Sequence, residues 1–441
     1  MELISMPEKW VIELYDDTIF NDDYKLSDYC IVIEYDDGYI LFHTITWTIL
    51  FLTTEEYKNI MGNKFLLENK IIVNKDVKEE DIAQKVFLKR SCPTVKSKYK
   101  KINTYVLFTT NECNANCPYC YEVLKKGKMS KETADKVIKF IESTHGRRTK
   151  IQWFGGEPLM NADIIDYICN SLNEKGIDFY SIIVSNALKF TPDIIDKAIN
   201  LWKINNLQVT IDGAENTYNK TKNYDIEGNA FKTVMENLKN ILEKSQIHIT
   251  MRINVSHENI DEIPNLIDYV KKEFKDYLGT SLTIDMHEIY QLTNDENLME
   301  KDDFYKKLCE IKFKYETGEK KNIITKHNLI HCFTDMLSGV AIAPNGNLHN
   351  CEHLNNNNLI GNVTDGIIYE EPIKKAEKKD GTFLYFCKSV KCKLLPICEQ
   401  YEFCENDKFC TTEKLMNIRE YFYRQKLIKT YEYYKKKKGE V

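Results

Sequence analysis

Short apolar runs alternate with amphipathic segments between about residues 99 and 290. Six runs have the length and β-branched content of strands, at 104–110, 149–154, 180–185, 206–211, 247–254 and 281–287. Between them, apolar residues recur at helical spacing near 130–144, 161–175, 191–204, 227–245 and 258–277. Strands that alternate with helices predict a parallel sheet with right-handed crossovers. Six units are too few to close an eight-stranded barrel, so the pattern predicts an α/β fold with an open, partial (β/α)6 barrel.

The rest of the chain is patterned differently. Two apolar runs flank Asp36-Asp37-Gly38, which is a hairpin signal, and a helix near 54–61 and a second strand pair near 65–73 follow. The sequence as a whole predicts five segments: a small α+β module (1–98), the alternating sheet (99–290), a charged helical bridge (291–331), a cysteine-rich domain (332–412) and a Tyr-rich helical tail (413–441).

Composition excludes several classes of protein. The 441 residues are 43% hydrophobic and 29% charged, as in an ordinary globular protein, and the net charge of −6 gives no reason to expect nucleic acid as a partner. No apolar run is long enough to span a bilayer and no signal segment is evident, so we expect a cytoplasmic chain without a membrane partner. Fourteen cysteines in such a chain read as metal ligands rather than disulfides.

Three of these cysteines, Cys113, Cys117 and Cys120, stand at C-x3-C-x2-C directly after the first strand of the alternation. The carboxyl end of a strand is where α/β folds place their chemistry. Three thiolates are one short of the four that usually hold a 4Fe–4S cluster, which leaves one iron free for another ligand. A zinc site is the alternative, but no fourth Cys or His follows at close spacing, so the pattern favours iron and sulfur.

Polar residues and glycines follow the next three strands. Gly155-Gly156-Glu157 follows the second strand, where glycines let backbone approach a ligand and a carboxylate binds an ammonium; a tight turn explains the glycines equally well. Ser185-Asn186 follows the third strand, and Thr210-Ile211-Asp212-Gly213 follows the fourth. Because parallel strands end at one edge of the sheet, we expect these residues to lie near the cysteine loop.

The loop and these strand ends resemble the radical S-adenosylmethionine (radical SAM) superfamily, whose loop is C-x3-C-x-aromatic-C with Tyr119 in the aromatic place. The resemblance implies S-adenosylmethionine bound to the open iron of one 4Fe–4S cluster, and an electron donor such as flavodoxin or ferredoxin. Lys222 stands where the family carries Arg, and Arg252 is an alternative for that role or a partner of an acid at the barrel mouth. The implied cofactor-binding residues are Tyr119, Gly155, Gly156, Glu157, Ser185, Asn186, Thr210 and Lys222.

Seven further cysteines stand in the last third of the chain, too many for one zinc ion. They are Cys332, Cys351, Cys387, Cys392, Cys398, Cys404 and Cys410. Their order resembles the SPASM extension of radical SAM peptide-modifying enzymes, although three of the spacings between them differ from its consensus. The resemblance implies two auxiliary 4Fe–4S clusters, with Cys332, Cys351 and Cys404 at the nearer one and Cys387, Cys392, Cys398 and Cys410 at the farther one. The nearer cluster then needs a fourth ligand, either a substrate thiolate or a side chain such as His331; zinc at that site is the alternative.

The resemblance implies a peptide maturase that forms a thioether or carbon–carbon crosslink in a ribosomally made precursor peptide. One rival is an anaerobic sulfatase-maturating enzyme, which forms formylglycine. An alternative of another class is a non-catalytic iron–sulfur electron carrier or peptide escort. The intact three-cysteine loop and the motifs at the strand ends argue against it. The 1–98 module is either a docking site for a leader peptide by strand addition or a structural cap. The sequence identifies no catalytic base.

Overall fold

The computed structural model describes residues 1–15, 23–91, 101–122, 126–289, 301–315, 323–324, 338–368, 385–398 and 413–439. The chain packs into two compact units. The first contains Met1–Thr94, Asn322–Cys332 and Lys378–Val441, and the second contains Val95–Lys321 and Phe333–Glu377. Residues 332–412 therefore contribute to both units. The five-segment division of the chain stays a prediction.

The described strands and helices follow one another in this order. The strands are β1 (Glu2–Ser5), β2 (Tyr24–Leu26), β3 (Cys30–Tyr35), β4 (Gly38–His43), β5 (Thr48–Thr53), β6 (Ile72–Asn74), β7 (Ile102–Thr110), β8 (His145–Gly155), β9 (Phe179–Ser185), β10 (Ile204–Thr210), β11 (His248–Val255), β12 (Leu282–Glu288), β13 (Gly339–Ile342), β14 (Asn347–His349), β15 (Leu359–Asn362) and β16 (Gly366–Ile367). The helices are α1 (Lys9–Ile12), α2 (Thr54–Lys58), α3 (Lys64–Glu68), α4 (Glu79–Ser91), α5 (Lys131–Thr144), α6 (Ala162–Glu174), α7 (Pro192–Asn200), α8 (Glu215–Lys222), α9 (Ala230–Lys244), α10 (Ile263–Glu273), α11 (Lys301–Tyr315), α12 (Tyr385–Ser389) and α13 (Glu413–Lys438).

The second unit is built on one large sheet, with strand order β12-β11-β10-β9-β8-β7-β13-β14-β15-β16. The strands from β7 to β12 are parallel neighbours in chain order, and β13 adds a further parallel strand beside β7. Strands β14 to β16 are antiparallel. The predicted α/β fold with six strand–helix units is thereby confirmed, and the described strands form an open sheet with β12 and β16 at its ends.

Alternation along these strands gives the sheet two different faces. In β11, for example, Ile249, Met251 and Ile253 are fully buried against the helices, whereas the residues between them are only partly buried. The helices cover the first face with apolar stripes, and α5 begins at Ser130, whose hydroxyl accepts the Thr133 N–H at 3.1 Å. On the second face, alternate residues of β9, β10 and β11 are only partly buried, whereas Val106, Phe108 and Phe154 form a separate small apolar cluster. The predicted strand-end residues follow strands of this sheet.

The first unit contains a four-stranded antiparallel sheet of order β1-β5-β4-β3. Its β3–β4 hairpin confirms the predicted turn, in which Asp36 adopts a positive φ of 50°. The predicted second strand pair near 65–73 is wrong in its first half, because Lys64–Glu68 is the helix α3. Asn63 caps that helix by accepting the Leu66 N–H at 3.2 Å, so local capping outweighs the apolar content of the segment. Strand β6 pairs with β2 instead.

Residues from both ends of the chain share the core of this first unit. Arg90, in α4, is buried and donates hydrogen bonds to the backbone carbonyls of Thr44 and Pro396, each at 3.0 Å. Helix α13 contributes Leu427 and Tyr431 to the same core, and its presence agrees with the predicted tail helix. Among the described helices, none combines the length and the apolar character needed to cross a membrane.

Candidate functional site

The three-cysteine loop leaves the carboxyl end of β7, as the sequence predicts. Cys113 and Cys117 are partly buried, and Cys120 is exposed. The Ala115 N–H donates to Cys113 Sγ at 3.4 Å, and the Cys120 N–H donates to the Cys117 carbonyl at 3.2 Å, which closes a turn inside the loop. The backbone of the loop is therefore already folded around its thiols.

The donor set of this loop is three thiols on 8 consecutive residues, Cys113–Cys120. Burial raises the pKa of the Cys113 thiol to about 11. Among the residues that the structure describes, no three His, Cys, Asp or Glu side chains converge on one point as the ligands of a single metal ion do. A 4Fe–4S cluster places its thiolates on different irons and therefore further apart. The donor chemistry of the loop fits such a cluster.

Two glycines let the end of β8 approach this loop. A Cβ atom on Gly155, whose φ is +126°, would lie 2.0 Å from the Thr110 carbonyl oxygen, and a Cβ on Gly156 would lie 2.4 Å from the Glu112 carbonyl oxygen. The Gly156 N–H donates to Thr110 O at 3.0 Å, and the Glu157 N–H donates to Glu112 O at 2.9 Å. The backbone that closely approaches these glycines is thus that of the cysteine loop.

Glu157, Ser185 and Asn186, predicted separately, lie together in one buried network. The Glu157 side chain is fully buried, and its Oε1 accepts the Ser185 hydroxyl at 2.9 Å and the Leu159 N–H at 3.1 Å. Its Oε2 accepts the Asn186 N–H at 2.9 Å. Burial raises the pKa of the Glu157 carboxyl, and these hydrogen bonds oppose the rise. An ammonium ligand of Glu157 would therefore share the carboxylate with three protein donors.

The same network reaches the cysteine loop through Asn114, which sequence reasoning missed. The Asn186 side-chain amide donates to Asn114 Oδ1 at 2.7 Å. Asn114 lies between the first two cysteines, and its position in the loop is the only sequence signal it gives. The contact links the ends of β8 and β9 to the loop that carries the thiols.

A second buried network joins the loop to β10 through Lys222. Its ammonium lies 2.8 Å from Asp212 Oδ2 and donates to Thr210 Oγ1 at 2.7 Å and to the Tyr119 hydroxyl at 2.9 Å. The Tyr119 hydroxyl donates in turn to Asp212. Burial lowers the pKa of the Lys222 ammonium, but Asp212, Tyr119, Cys117 and Tyr218 together outweigh it, and the pKa lies well above its usual value. The backbone carbonyl of Lys222 also accepts a hydrogen bond from the Asn116 N–H at 2.9 Å.

The three donors of the Lys222 ammonium are therefore directed at protein oxygens. The sequence predicts this residue as a cofactor ligand together with Thr210 and Tyr119, and the structure brings all three together. It also adds two residues that the sequence did not single out. Asn254, at the end of β11, donates its N–H to Asp212 Oδ1 at 3.3 Å, and the Asn259 amide donates to the Asp212 carbonyl at 2.6 Å. Arg252 lies on the same strand, and its Nε donates to Asn254 Oδ1 at 3.2 Å.

Cys351, a predicted ligand of the nearer auxiliary cluster, lies in the same unit as the cysteine loop. The His353 N–H donates to Cys351 Sγ at 3.4 Å, and the His353 ring packs against Tyr121 with ring centroids 4.6 Å apart. Tyr121 directly follows Cys120. Residues next to the two predicted cluster sites are therefore in contact: Tyr121 beside Cys120, and His353 two positions after Cys351.

A small cavity of about 100 Å³ opens beside Tyr121, and Glu352 and His353 are among its lining residues. Glu352 was missed by the sequence analysis, because one Glu beside a cysteine carries no distinguishing pattern. Its Oε1 accepts the Gln152 amide at 3.0 Å, and burial raises the pKa of its carboxyl even though Gln152, Lys150 and Arg252 favour the ionised form.

The other predicted auxiliary ligands divide into two groups. Cys387, Cys392 and Cys398 lie in the first unit, where all three contact the apolar core formed with the N-terminal segment. Cys332, Cys404 and Cys410, and the alternative ligand His331, lie outside the described residues. The predicted composition of the two clusters stays a prediction.

Part of the large sheet matches a known protein superfamily. The Radical SAM superfamily matches residues 107–270, a range that includes the cysteine loop and the ends of β8 to β10. The Radical SAM cyclopropyl synthase TigE of Paramaledivibacter caminithermalis is 26% identical over 246 residues, covering 51% of this chain and 48% of that protein. An uncharacterized protein of Methanocaldococcus jannaschii is 36% identical over 115 residues, covering 25% of this chain and 38% of that protein. The chain thus spans half or less of the length of these curated relatives.

Among solved structures, anSMEcpe with bound AdoMet superimposes with a TM-score of 0.58 at 13% identity, covering 76% of this chain and 96% of that chain. At this identity the likeness shows the fold. A radical SAM domain implies S-adenosylmethionine and a 4Fe–4S cluster, for which the loop has a fitting donor set. Residues 107–270, which carry the cysteine loop and most of the parallel strands, thus match the Radical SAM superfamily, a superfamily of enzymes.

Proposed function

We propose that this chain is a radical SAM peptide maturase that forms a thioether or carbon–carbon crosslink in a ribosomally made precursor peptide. The observation that carries the proposal is the double attachment of the cysteine loop, through Asn114 to the Glu157 network and through Tyr119 to Lys222. These contacts hold the loop with its three thiols at the carboxyl ends of neighbouring strands of the sheet. A neighbouring fold solved with AdoMet and Cp18Cys peptide, at a TM-score of 0.55, supports a peptide substrate, and the relative named as a radical SAM cyclopropyl synthase supports radical SAM chemistry.

In this proposal Cys113, Cys117 and Cys120 hold the 4Fe–4S cluster. S-adenosylmethionine bound at that cluster would supply the radical chemistry that removes a hydrogen atom from the substrate. The chain's own residues would position the loop. Gly155 and Gly156 allow its close approach to the sheet, and the hydrogen-bond networks of Glu157 and Lys222 contact it at Asn114 and Tyr119. Burial of both networks excludes water from the loop's attachment. A cytoplasmic flavodoxin or ferredoxin would deliver the electron.

Two auxiliary clusters complete the proposal. Cys351 would belong to the nearer one with Cys332 and Cys404, and Cys387, Cys392 and Cys398 to the farther one with Cys410. Crosslinking needs the substrate radical to lose one electron and a proton. A buried cluster is a suitable acceptor of that electron, and a cluster with a missing protein ligand can also bind a substrate thiolate.

The first experiment tests the loop. The Cys117→Ala protein, reconstituted without oxygen, should produce no 5′-deoxyadenosine from S-adenosylmethionine, because the cluster loses one of its three ligands. Cys309→Ala is the matched control, since Cys309 lies in α11 and is not a predicted ligand. Production of 5′-deoxyadenosine by the Cys117 variant would remove this loop from the mechanism.

The second experiment counts metal. The reconstituted protein should contain about twelve irons if three 4Fe–4S clusters are present. About four irons would leave the first cluster and exclude the auxiliary ones, and stoichiometric zinc would assign the second site to zinc.

The third experiment tests docking of a leader peptide on β3, the last strand of its described sheet. Arg424 Nη1 donates to the Val32 carbonyl at 2.6 Å, so the backbone groups of Val32, and by alternation those of Glu34, point away from β4. Glu34→Pro then removes one outward N–H without breaking a bond to β4. We expect weaker peptide binding in this variant than in Glu34→Ala, with cofactor cleavage unchanged in both. Equal affinities would favour a structural cap.

A further inference from the structure

The three cysteines predicted for the farther auxiliary cluster are built into the core of the first unit. Cys398 is buried in the same apolar cluster as Tyr29 and Phe87, and Cys387 and Cys392 pack against that cluster. The Cys392 N–H donates to the Cys387 carbonyl at 2.9 Å, which closes the segment between these two cysteines. The surroundings of these thiols are therefore supplied largely by the N-terminal part of the chain.

Arg419, on α13, makes a charged hydrogen bond to one of these sulfurs. Its Nη2 lies 3.3 Å from Cys398 Sγ, and the two residues are only 4% and 7% exposed. A hydrogen bond from a guanidinium to a cluster thiolate is stronger than one to a neutral thiol, which is a weak acceptor.

Tyr29, in the N-terminal part of the chain, is the second candidate hydrogen-bond donor. Its side chain is fully buried, and its hydroxyl has no hydrogen-bond partner among the described residues. An unpaired buried hydroxyl is unfavourable, so we expect a group bound at this site to accept its hydrogen bond. Tyr29 belongs to the apolar cluster that contains Cys398 and against which Cys387 and Cys392 pack.

We propose that Arg419 and Tyr29 are positioning residues that donate hydrogen bonds to the sulfurs of an auxiliary 4Fe–4S cluster held by Cys387, Cys392 and Cys398, and thereby raise its reduction potential. The inference rests on the auxiliary clusters of the proposed function. Its physical basis is that reduction adds negative charge to the cluster, and donors directed at its sulfurs stabilise that charge. The cation of Arg419 should act more strongly than the neutral hydroxyl of Tyr29.

The test measures a potential, so that it does not depend on catalysis. The parent protein carries Cys113→Ala, Cys117→Ala and Cys120→Ala, which leaves only the auxiliary clusters to be followed by electron paramagnetic resonance during a redox titration. Into this parent we introduce Tyr29→Phe, Arg419→Met and Arg419→Lys. Tyr15→Phe is the matched control, because its hydroxyl is likewise buried in this apolar cluster and unpaired among the described residues, but it is not proposed to donate to these sulfurs.

We expect Tyr29→Phe to lower the midpoint potential of one auxiliary cluster at unchanged iron content. Arg419→Met should lower it further, Arg419→Lys should recover part of that loss, and Tyr15→Phe should leave the potential where it was. Tyr29→Phe removes a single oxygen atom and keeps the test valid even if the Arg419 variants do not fold. If Tyr29→Phe keeps its full iron content and its midpoint potential does not change, this inference is wrong but the proposed auxiliary cluster stands. If Cys398→Ala changes neither the iron content nor the spectrum of the parent, the auxiliary cluster and the inference fall together.

Discussion

The Lys222 ammonium lies 2.8 Å from the Asp212 carboxylate, with 4% and 0% of the two side chains exposed. A buried ion pair of this kind adds little net stability over an apolar pair, but removing one partner leaves a charge that nothing compensates. Since Tyr119 contacts both residues, the pair also holds the loop that carries the three cysteines. Loss of this ion pair should therefore affect both the stability of the sheet and the position of the cysteine loop.

We therefore expect Lys222→Met to lower the free energy of unfolding of the apoprotein by about 3–5 kcal/mol, because Asp212 stays buried and loses its counter-charge. The double variant Lys222→Met with Asp212→Asn should recover a large part of this loss. Chemical denaturation measures both effects. Lys197→Met is the matched control, because Lys197 pairs with Asp166 at 2.7 Å but is 40% exposed, and its loss should cost at most about 1 kcal/mol. Equal losses at the two lysines would contradict the assignment.

A second prediction concerns Gly155. A Cβ at this position would meet the Thr110 carbonyl oxygen at 2.0 Å, and the backbone has a φ of +126°. Gly155→Ala should therefore destabilise the protein by about 1–3 kcal/mol through overpacking, in addition to backbone strain, and should displace the cysteine loop. We expect reduced iron in the first cluster, measured in a protein whose auxiliary cysteines are replaced.

Gly176→Ala is the matched control for this substitution. Gly176 also has a positive φ, of +67°, but a Cβ there would have nothing within 4 Å. It therefore carries the milder strain of a left-handed backbone without the clash. Similar iron loss in both variants would show that strain, and not the close approach to the loop, decides the result.

Sequence patterns predicted the sheet well because the signal is local. The apolar runs that became β7 to β12 are strand-length and buried on one face, so hydrophobic alternation alone locates them. The segment at Lys64–Glu68 shows the limit of this approach, since an apolar run of that length fits a strand or a helix, and the cap at Asn63 decides.

The partners of the site residues were beyond such reasoning. The Lys222 ammonium contacts the Tyr119 hydroxyl across 103 positions of sequence, and Gln152 contacts Glu352 across 200. Such pairs depend on which strand ends the fold brings together, which no local pattern specifies. For the same reason the sequence predicted Glu157, Ser185 and Asn186 as separate cofactor contacts, whereas the structure joins them by hydrogen bonds.

A third prediction tests that joined network through Glu157. Its two oxygens accept three hydrogen bonds, so Glu157→Gln would turn an amide N–H₂ toward at least one donor. One mismatched buried contact should lower the free energy of unfolding by about 1–3 kcal/mol. S-adenosylmethionine binding, measured by calorimetry on reconstituted protein, should weaken as well. Lys189→Met is a suitable control because it alters a neighbouring charge without touching these hydrogen bonds; unchanged stability in Glu157→Gln would contradict the network's role.

The last prediction concerns Glu352, whose carboxyl pKa is raised by burial from its ordinary 4.5 despite the Gln152 amide and the nearby Lys150 and Arg252. Below pH 4.5 the carboxyl is neutral in the folded and unfolded chains and costs nothing. Above the folded-state pKa it is ionised in both, and its ionisation penalises the fold. Replacing it by Gln, which keeps the contact with Gln152, should therefore raise the melting temperature of the apoprotein at neutral pH. The gain should fade as the pH falls through the folded-state pKa toward 4.5. Glu132→Gln is the matched control, because 81% of that side chain is exposed and its replacement should change stability by at most about 0.5 kcal/mol. A Glu352→Gln protein that melts lower than the parent at neutral pH would mean that the ionised carboxylate stabilises the fold, through Lys150 and Arg252, more than its burial destabilises it.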